Sequence, residues 1–205
     1  MAITQAHSRM VSDVDAGSTY ITGTLGTAAN NIVQLTAAAK LPAVDGSLLT
    51  NTPAGGKVLQ QVHAVTSAVA TGTTAMVADD TIPQNTEGNE AITLAITPTS
   101  ASSKLLITAN VFHSVGETTV NVVIALFQDT TANALAAVGE QNVGSTFPMT
   151  TTLTHQMTAG TTSATTFKIR AGAATTNTWT LNGWGGARKL GGVASTTLTI
   201  TEISV

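Results

Sequence analysis

Downstream of residue 57 the chain alternates apolar and polar residues with a period of two, and Gly, Pro, Asn and Asp interrupt the alternation at short intervals. The alternating stretches are 58–65, 91–97, 104–113, 120–127, 166–171 and 196–205. This period predicts half-buried β-strands, and no stretch in this part has the period of a long helix. We therefore predict an all-β, antiparallel domain of roughly eight to ten short strands, folded as a sandwich, a barrel or a jelly roll.

The strand predicted over 120–127 is mostly apolar on both faces. One face carries Val120, Val122, Ile124 and Leu126, and the other Asn121, Val123, Ala125 and Phe127. A two-layer sandwich covers only one side of each strand, so the second face needs another cover. We predict that a neighbouring subunit supplies it, with Val123 and Phe127 at the interface of a homotrimer.

The segment before residue 57 has a different pattern. Two short apolar stretches flank Pro42 and the turn dipeptide Asp45-Gly46, and a Gly- and Pro-rich breaker over 52–56 follows them. A hairpin of this size is marginally stable alone, so its apolar side chains are expected to meet copies of themselves from other chains. These further candidates for the trimer interface are Ile32, Leu35, Leu48 and Leu49.

The first residues have only weak periodicity. Ile3, Ala6, Met10 and Val14 follow a helical spacing that Asp15 and Gly17 end, and Tyr20 lies in an extended stretch. A short docking helix and an irregular arm that orders on a partner are both open, and we favour the arm. Its candidate docking residues are Ile3, Met10 and Tyr20.

Composition adds a second argument for association. Charged residues make up 9% of the 205 residues and aromatic residues 3%, whereas ordinary globular chains are about 25% charged. A surface with so little charge is expected to lie largely in subunit contacts; the alternative is a monomer solvated by Thr, Ser and Asn. Because cysteine is absent, stability without disulfides also favours oligomerisation.

Charge and hydropathy exclude several classes of function. The net charge is −3 and the basic residues are scattered, which leaves no footprint for nucleic acid. No apolar run approaches the ~18 residues of a membrane span, and residues 1–10 lack the apolar core of a signal peptide. A protein used outside the cell without such a signal is expected to be released by lysis.

Candidate chemistry is sparse. The four histidines are far apart in sequence, which argues against a zinc site within one chain, although a threefold axis could gather three copies of His113 or His155. Asp79, Asp80, Glu87 and Glu90 are expected to be solvated loop acids rather than calcium ligands. No nucleophile motif is present, so we expect no enzyme, no cofactor and no metal, although paired carboxylates for glycan hydrolysis stay open.

One loop stands out as a contact surface. Trp184 lies in the run Gly183–Gly186, with Arg188 and Lys189 close behind it. A Trp face can stack on a sugar ring or anchor an interface, so these three residues are the candidate surface contact. The alternative is a Trp that covers the edge of the core.

Several segments resemble bacteriophage fibre and spike proteins. The run LPAVDGSLLT over 41–50 resembles their shaft-to-knob junction, and ITPTSASSKLLITANV over 96–111 and TTLTITEISV over 196–205 resemble their knobs. The opening MAITQAHSRMVSD resembles the segments that join such proteins to the virion. The resemblance implies a trimer with a jelly-roll knob of the tumour-necrosis-factor type, in which the last strand lies in the inner sheet beside the threefold axis. The strand over 120–127 is assigned to the same inner sheet.

These expectations divide the chain into three parts: a virion-docking arm over 1–30, a trimeric junction and linker over 31–56, and a jelly-roll knob over 57–205. The function implied is a non-enzymatic virion protein, a trimeric short tail fibre. Its arm binds other virion proteins and its knob contacts a glycan or protein on the host surface. The alternative is a capsid decoration protein, of the cement or head-fibre kind, that clamps threefold positions. Copy number per virion separates these two.

Overall fold

The computed structural model describes residues 56–205, and within that range β-strands dominate. The predicted all-β class is confirmed. The strands are β1 (Val58–Thr66), β2 (Ala70–Gly72), β3 (Asn89–Ile96), β4 (Lys104–Val115), β5 (Val120–Gln128), β6 (Ala136–Asn142), β7 (Met149–Thr158), β8 (Thr165–Ala173), β9 (Trp179–Leu181), β10 (Gly183–Trp184), β11 (Ala187–Arg188) and β12 (Thr196–Ile203), with a 3-10 turn at Leu190–Gly192.

The predictions for the arm and for nearly all of the junction lie outside the described residues. They concern the docking candidates Ile3, Met10 and Tyr20 and the interface candidates Ile32, Leu35, Leu48 and Leu49.

The long strands form two antiparallel sheets. In sheet 1 the order is β1-β12-β4-β7, and the short strands β2 and β9 continue the columns of β1 and β12 beside the end of β4. In sheet 2 the order is β3-β8-β5-β6. Except for β5 and β6, which are neighbours in sheet 2, successive long strands alternate between the two sheets, and this is the topology of a jelly roll.

The core lies between the sheets and follows the alternation in the sequence. On β4 the inward residues Leu105, Ile107, Ala109 and Val111 are fully buried, as are Val122, Ile124 and Leu126 of β5. Phe167 and Ile169 of β8 and Leu198 and Ile200 of β12 complete the interior. The inward positions of these strands therefore supply the large apolar side chains of the core, as a two-layer fold requires.

The segment over 73–88, here called the strap, covers the second face of β5. Met76 on the strap is fully buried with Val123, Ala125 and Phe127. Its backbone N–H donates to the Ala173 carbonyl at 2.9 Å, and further along the Ala134 N–H donates to the Pro83 carbonyl at 2.9 Å. The strap is thereby attached at both ends of the outer face of sheet 2.

This cover corrects the argument that assigned Val123 and Phe127 to a subunit interface. Their exposed fractions are only 6% and 1% within a single chain, so no neighbouring subunit is needed to bury them. The prediction that the strand over 120–127 and the last strand lie in the same inner sheet is also wrong. The first of them, β5, lies in sheet 2, and the last strand, β12, lies in sheet 1. A period of two shows that a face is buried but not which segment buries it.

Candidate functional site

Asn182 is the point at which the chain leaves sheet 1 before it returns at Thr196. Its φ of 54° lies in the left-handed region, which Asn adopts more easily than most residues. Its side-chain Nδ2 donates to the carbonyls of Thr66 and Ala68, and its Oδ1 accepts from Thr196 Oγ1. One amide therefore joins β1, the chain before β2, and β12 at the base of the excursion.

The excursion begins with a tight hairpin. Gly183 and Trp184 pair with Arg188 and Ala187, and the two turn residues Gly185 and Gly186 have φ values of 62° and 73°. Two successive left-handed residues are typical of a type I′ turn, which matches the twist of the flanking strands. The structure thus places Trp184 and Arg188 on one short hairpin and Lys189 immediately after it, where the sequence predicted a loop.

Trp184 is half-buried, and its ring already has neighbours. The Phe112 ring meets it edge-on at a centroid distance of 6.4 Å and an angle of 72°. Lys189 Nζ lies 5.5 Å from the ring centroid, a cation–π distance. Arg188 is exposed. A sugar ring stacking on Trp184 would have to compete with these contacts, which hold the hairpin against sheet 1.

The outer face of sheet 1 was not identified from the sequence. Along four strands its side chains are nearly all uncharged, and Thr is the commonest; we call it the threonine face. Its members are Gln61, His63 and Val65 on β1, Thr197, Thr199, Thr201 and Ile203 on β12, Lys104, Leu106, Thr108, Asn110 and Phe112 on β4, and Thr150, Thr152, Thr154, Gln156 and Thr158 on β7. The signal was present in the repeats TTTLT over 150–154 and TTLTIT over 196–201.

Hydrogen bonds between neighbouring strands satisfy many of these polar groups. His63 Nδ1 and Thr199 Oγ1 are 2.9 Å apart, Gln61 Nε2 donates to Thr201 Oγ1 at 2.9 Å, and Thr152 Oγ1 donates to Asn110 Oδ1 at 2.7 Å. The one Lys on the face, Lys104, donates to Thr158 Oγ1 at 2.8 Å. Polar groups already paired within the sheet lose little when another surface covers them.

A buried carboxylate joins the two segments that carry the resemblance to phage knobs. Glu202 on β12 has no exposed surface, and its oxygens accept hydrogen bonds from the loop between β3 and β4. The donors are the Thr99 and Ser100 N–H groups and the Thr99 and Ser103 hydroxyls, with Gln60 Nε2 from β1. The role is structural, because the carboxylate faces protein donors on every side.

His113 is excluded from a site on a threefold axis. It is fully buried between the sheets, where Nε2 lies 2.8 Å from Thr151 Oγ1 and 3.4 Å from Glu140 Oε1. Thr151 also donates a short hydrogen bond to Glu140. His155 is half-buried on β7.

Of the four predicted loop acids, Asp79, Asp80 and Glu90 are exposed and Glu87 is half-buried, but Glu90 lies on strand β3 rather than in a loop. The Asp79 carboxylate is exposed, and hydrogen bonds from the Thr81 hydroxyl and then the Thr81 N–H lower its pKa. Within residues 56–205 no three His, Cys, Asp or Glu side chains come together in a way that could hold a metal ion. The same part of the chain has no helix of the length and hydrophobicity that a membrane span requires.

Comparison of the sequence with protein-family models and with curated proteins gives no match. Among solved structures, the chain is similar to an EclA C-terminal domain described as a sugar-binding protein, at 15% identity and a TM-score of 0.35, over 57% of this chain and 75% of that one. It is similar to Eiger TNF from S. frugiperda at 6% identity and a TM-score of 0.37, over 69% of this chain and 92% of that one. It also resembles the enzymatically active domain of bacteriophage CBA120 tailspike protein 4, at 14% identity and a TM-score of 0.26. That match covers 63% of this chain and 20% of the other. Likenesses this weak carry no argument about function.

Proposed function

We propose that this chain is a non-enzymatic virion protein, a homotrimeric short tail fibre whose C-terminal knob contacts the host surface and whose N-terminal arm docks on the virion. The threonine face is the observation that carries the proposal. It is a broad sheet surface with little charge, on a chain that is itself only 9% charged.

The threonine face replaces the second face of β5 as the subunit contact. Three copies meet through it, with β12 and β4 central and β1 and β7 at its margins. Burying a hydroxyl that is already hydrogen-bonded within its own sheet has a small cost, and the methyl group of each Thr contributes apolar area. Charged side chains would instead have to be desolvated or paired across the interface.

The asymmetry between the two sheets supports this orientation. The outer face of sheet 2 carries Glu90, Lys168 and Arg170, whereas the threonine face has only Lys104 among permanently charged residues. A face that evolved only to meet water is expected to carry charge, as sheet 2 does. In the trimer, sheet 1 is therefore internal and sheet 2 forms the outside.

Two measurements test the proposal. Sedimentation of the purified chain at micromolar concentration is expected to give a trimer, and a stable, well-folded monomer would contradict it. Quantitative labelling of virions is expected to find a few trimers at the tail. Hundreds of copies on the head would overturn the fibre assignment in favour of a capsid decoration protein while leaving the trimer intact.

A further inference from the structure

The outer face of sheet 2 carries a cavity of about 230 Å³ between the strap and the strands β5 and β8. Asn85 comes from the strap, Phe127, Asp129 and Thr130 from the end of β5 and its turn, and Lys168 and Arg170 from β8. Lys168 lies directly opposite Phe127 in the pairing of β5 with β8, and Arg170 is two residues further along the same face. Two of the few basic residues of the chain therefore line one cavity.

Hydrogen bonds fix the walls of this cavity. Asn85 Nδ2 donates to the Thr130 and Thr131 carbonyls, both at 3.2 Å, and ties the strap to the turn after β5. The Asp129 carboxylate accepts from the Thr166 N–H and from Thr165 Oγ1, each at 2.8 Å, and ties that turn to β8. Arg170 donates from Nε and Nη2 to the Glu87 and Gly88 carbonyls, each at 2.7 Å.

The charged groups of the lining that have no hydrogen-bond partner in the described part of the chain are donors. In the described part of the chain no hydrogen bond or ion pair engages the Lys168 ammonium, and Nη1 of Arg170 has no partner. Both side chains are half-buried, so their charges are only partly hydrated. Phe127 lines the cavity with only 1% of its surface exposed, and the Thr130 hydroxyl adds a further polar group.

The carboxylates around the cavity do not neutralise these donors by direct pairing. Each Asp129 oxygen accepts one hydrogen bond as described, and Glu87 accepts from the Gln84 N–H at 2.7 Å. Glu90 lies opposite Arg170 on β3, is exposed, and makes no ion pair with it. Two cations and one carboxylate thus line the cavity, so a ligand with a single negative charge and further polar groups matches its lining.

We propose that this cavity binds a single carboxylate-bearing sugar residue of a glycan, with its carboxylate at Lys168 and Arg170. Its volume lies below the roughly 300–1,000 Å³ of pockets for drug-sized ligands, which favours one ring over an oligosaccharide. Charge-assisted hydrogen bonds hold the carboxylate, and the ring hydroxyls meet the Thr130 hydroxyl and the Asp129 carboxylate, whose oxygens can each accept more than one hydrogen bond. The biological role of this site rests on the proposed function, because sheet 2 meets the host only if it forms the outside of the proposed trimer.

The test uses the full chain with glucuronate, and glucose as its neutral counterpart, followed by NMR shift perturbation or calorimetry. At about 20 mM, where a millimolar site is nearly saturated, glucuronate is expected to bind and glucose to bind at least roughly tenfold more weakly. Raising the salt concentration is expected to weaken glucuronate binding, because the contact is partly exposed.

Variants assign the binding to this cavity. Lys168→Gln is expected to weaken glucuronate binding roughly tenfold or more, and Lys168→Arg to retain most of it. The matched control is Lys57→Gln, which makes the same change of charge at an exposed residue outside the cavity and is expected to bind as the unaltered chain does.

Three outcomes would overturn the proposal: no binding of glucuronate, equal binding of glucose, or equal losses from Lys168→Gln and Lys57→Gln. None of these would affect the trimer or the copy number per virion. Conversely, glucuronate binding by a protein present in hundreds of copies on the head would keep the site and reject the tail fibre.

Discussion

Glu202 is the residue where local chemistry and fold are most directly connected. Burial of its carboxylate raises the pKa, but hydrogen bonds from Ser103, Gln60 and Thr99 outweigh that effect and lower the pKa to about 2. Since the pKa in the folded chain is below the ordinary 4.5, the charged form stabilises the fold. That stabilisation is complete above pH 4.5 and is lost as the pH falls through about 2.

Glu202→Gln is therefore expected to destabilise the knob by about 2 kcal/mol at pH 7, because an amide NH₂ replaces an acceptor oxygen among fixed donors. The difference in unfolding free energy between the variant and the unaltered chain should shrink as the pH falls from 4.5 towards 2. Denaturant unfolding at pH 7 and at pH 3 measures it. Glu90→Gln, at an exposed position, is the control, and equal stabilities of Glu202→Gln and the unaltered chain at pH 7 would refute the structural role.

At the scale of elements, the strap depends on close backbone approach. A Cβ at Gly172 on β8 would lie 2.7 Å from the Thr74 carbonyl oxygen and 3.1 Å from both the Gly88 Cα and the Met76 nitrogen. All three are backbone atoms, which cannot rotate away as the end of a side chain can. The glycine thus sets how closely the strap crosses sheet 2 and how well Met76 covers β5.

Gly172→Ala is expected to cost about 1–3 kcal/mol of stability, because the strap must shift to admit the methyl group. It should also raise amide exchange at Met76, whose N–H donates across this contact. Gly139→Ala on β6 is the matched control, since its Cβ would meet nothing closer than 3.7 Å and should leave stability almost unchanged. Equal effects of the two changes would show that the strap is not closely packed.

The same elements show how far the sequence could be interpreted. The period of two predicted β3, β4, β5, β8 and β12, because a half-buried strand imposes that alternation on its residues. The strap has no such period, and Met76 is its only fully buried large side chain. The local sequence therefore does not predict which segment covers β5. The glycines around Trp184 predicted a loop rather than the hairpin that forms there, and the contact with Phe112 depends on the register of distant strands.

The polar sites could be predicted only in part. The Lys168 and Arg170 pair is visible as two cations on one face of a strand, but the cavity also needs Asn85, which is more than eighty residues away along the chain. Glu202 looks like a solvated residue near the end of a strand until the loop over 99–103 is folded around it. Long-range convergence of this kind has no signature in a single sequence.

At the scale of the whole molecule, the described part of the chain has the features of an independent folding unit. It has one continuous core between its two sheets, and β1 pairs along nearly its whole length with β12. A fragment over 56–205 is expected to fold alone, with a circular dichroism spectrum dominated by strands, and to lose attachment to the virion. The full chain is the control, and an unfolded or markedly helical fragment would contradict the domain boundary.

The proposed trimer makes a sharper prediction about one face of the knob. Thr108 lies in the middle of β4, opposite Thr199 of β12 and Thr154 of β7, near the centre of the threonine face. In a trimer built through this face, Thr108→Asp would bring three carboxylates, one from each subunit, into an interface with almost no cations. Desolvation and mutual repulsion of these charges should weaken association by roughly a hundredfold or more.

The folded subunit itself should tolerate Thr108→Asp, because the side chain points away from the core and is half-exposed in the single chain. Sedimentation velocity at micromolar concentration is therefore expected to show a folded monomer, with the strand-dominated circular dichroism unchanged. Thr93→Asp makes the same change at an exposed position on the outer face of sheet 2 and should leave the trimer intact. If Thr93→Asp dissociates the trimer while Thr108→Asp does not, the subunits meet through sheet 2, and the cavity at Lys168 would then lie inside the assembly rather than on its surface.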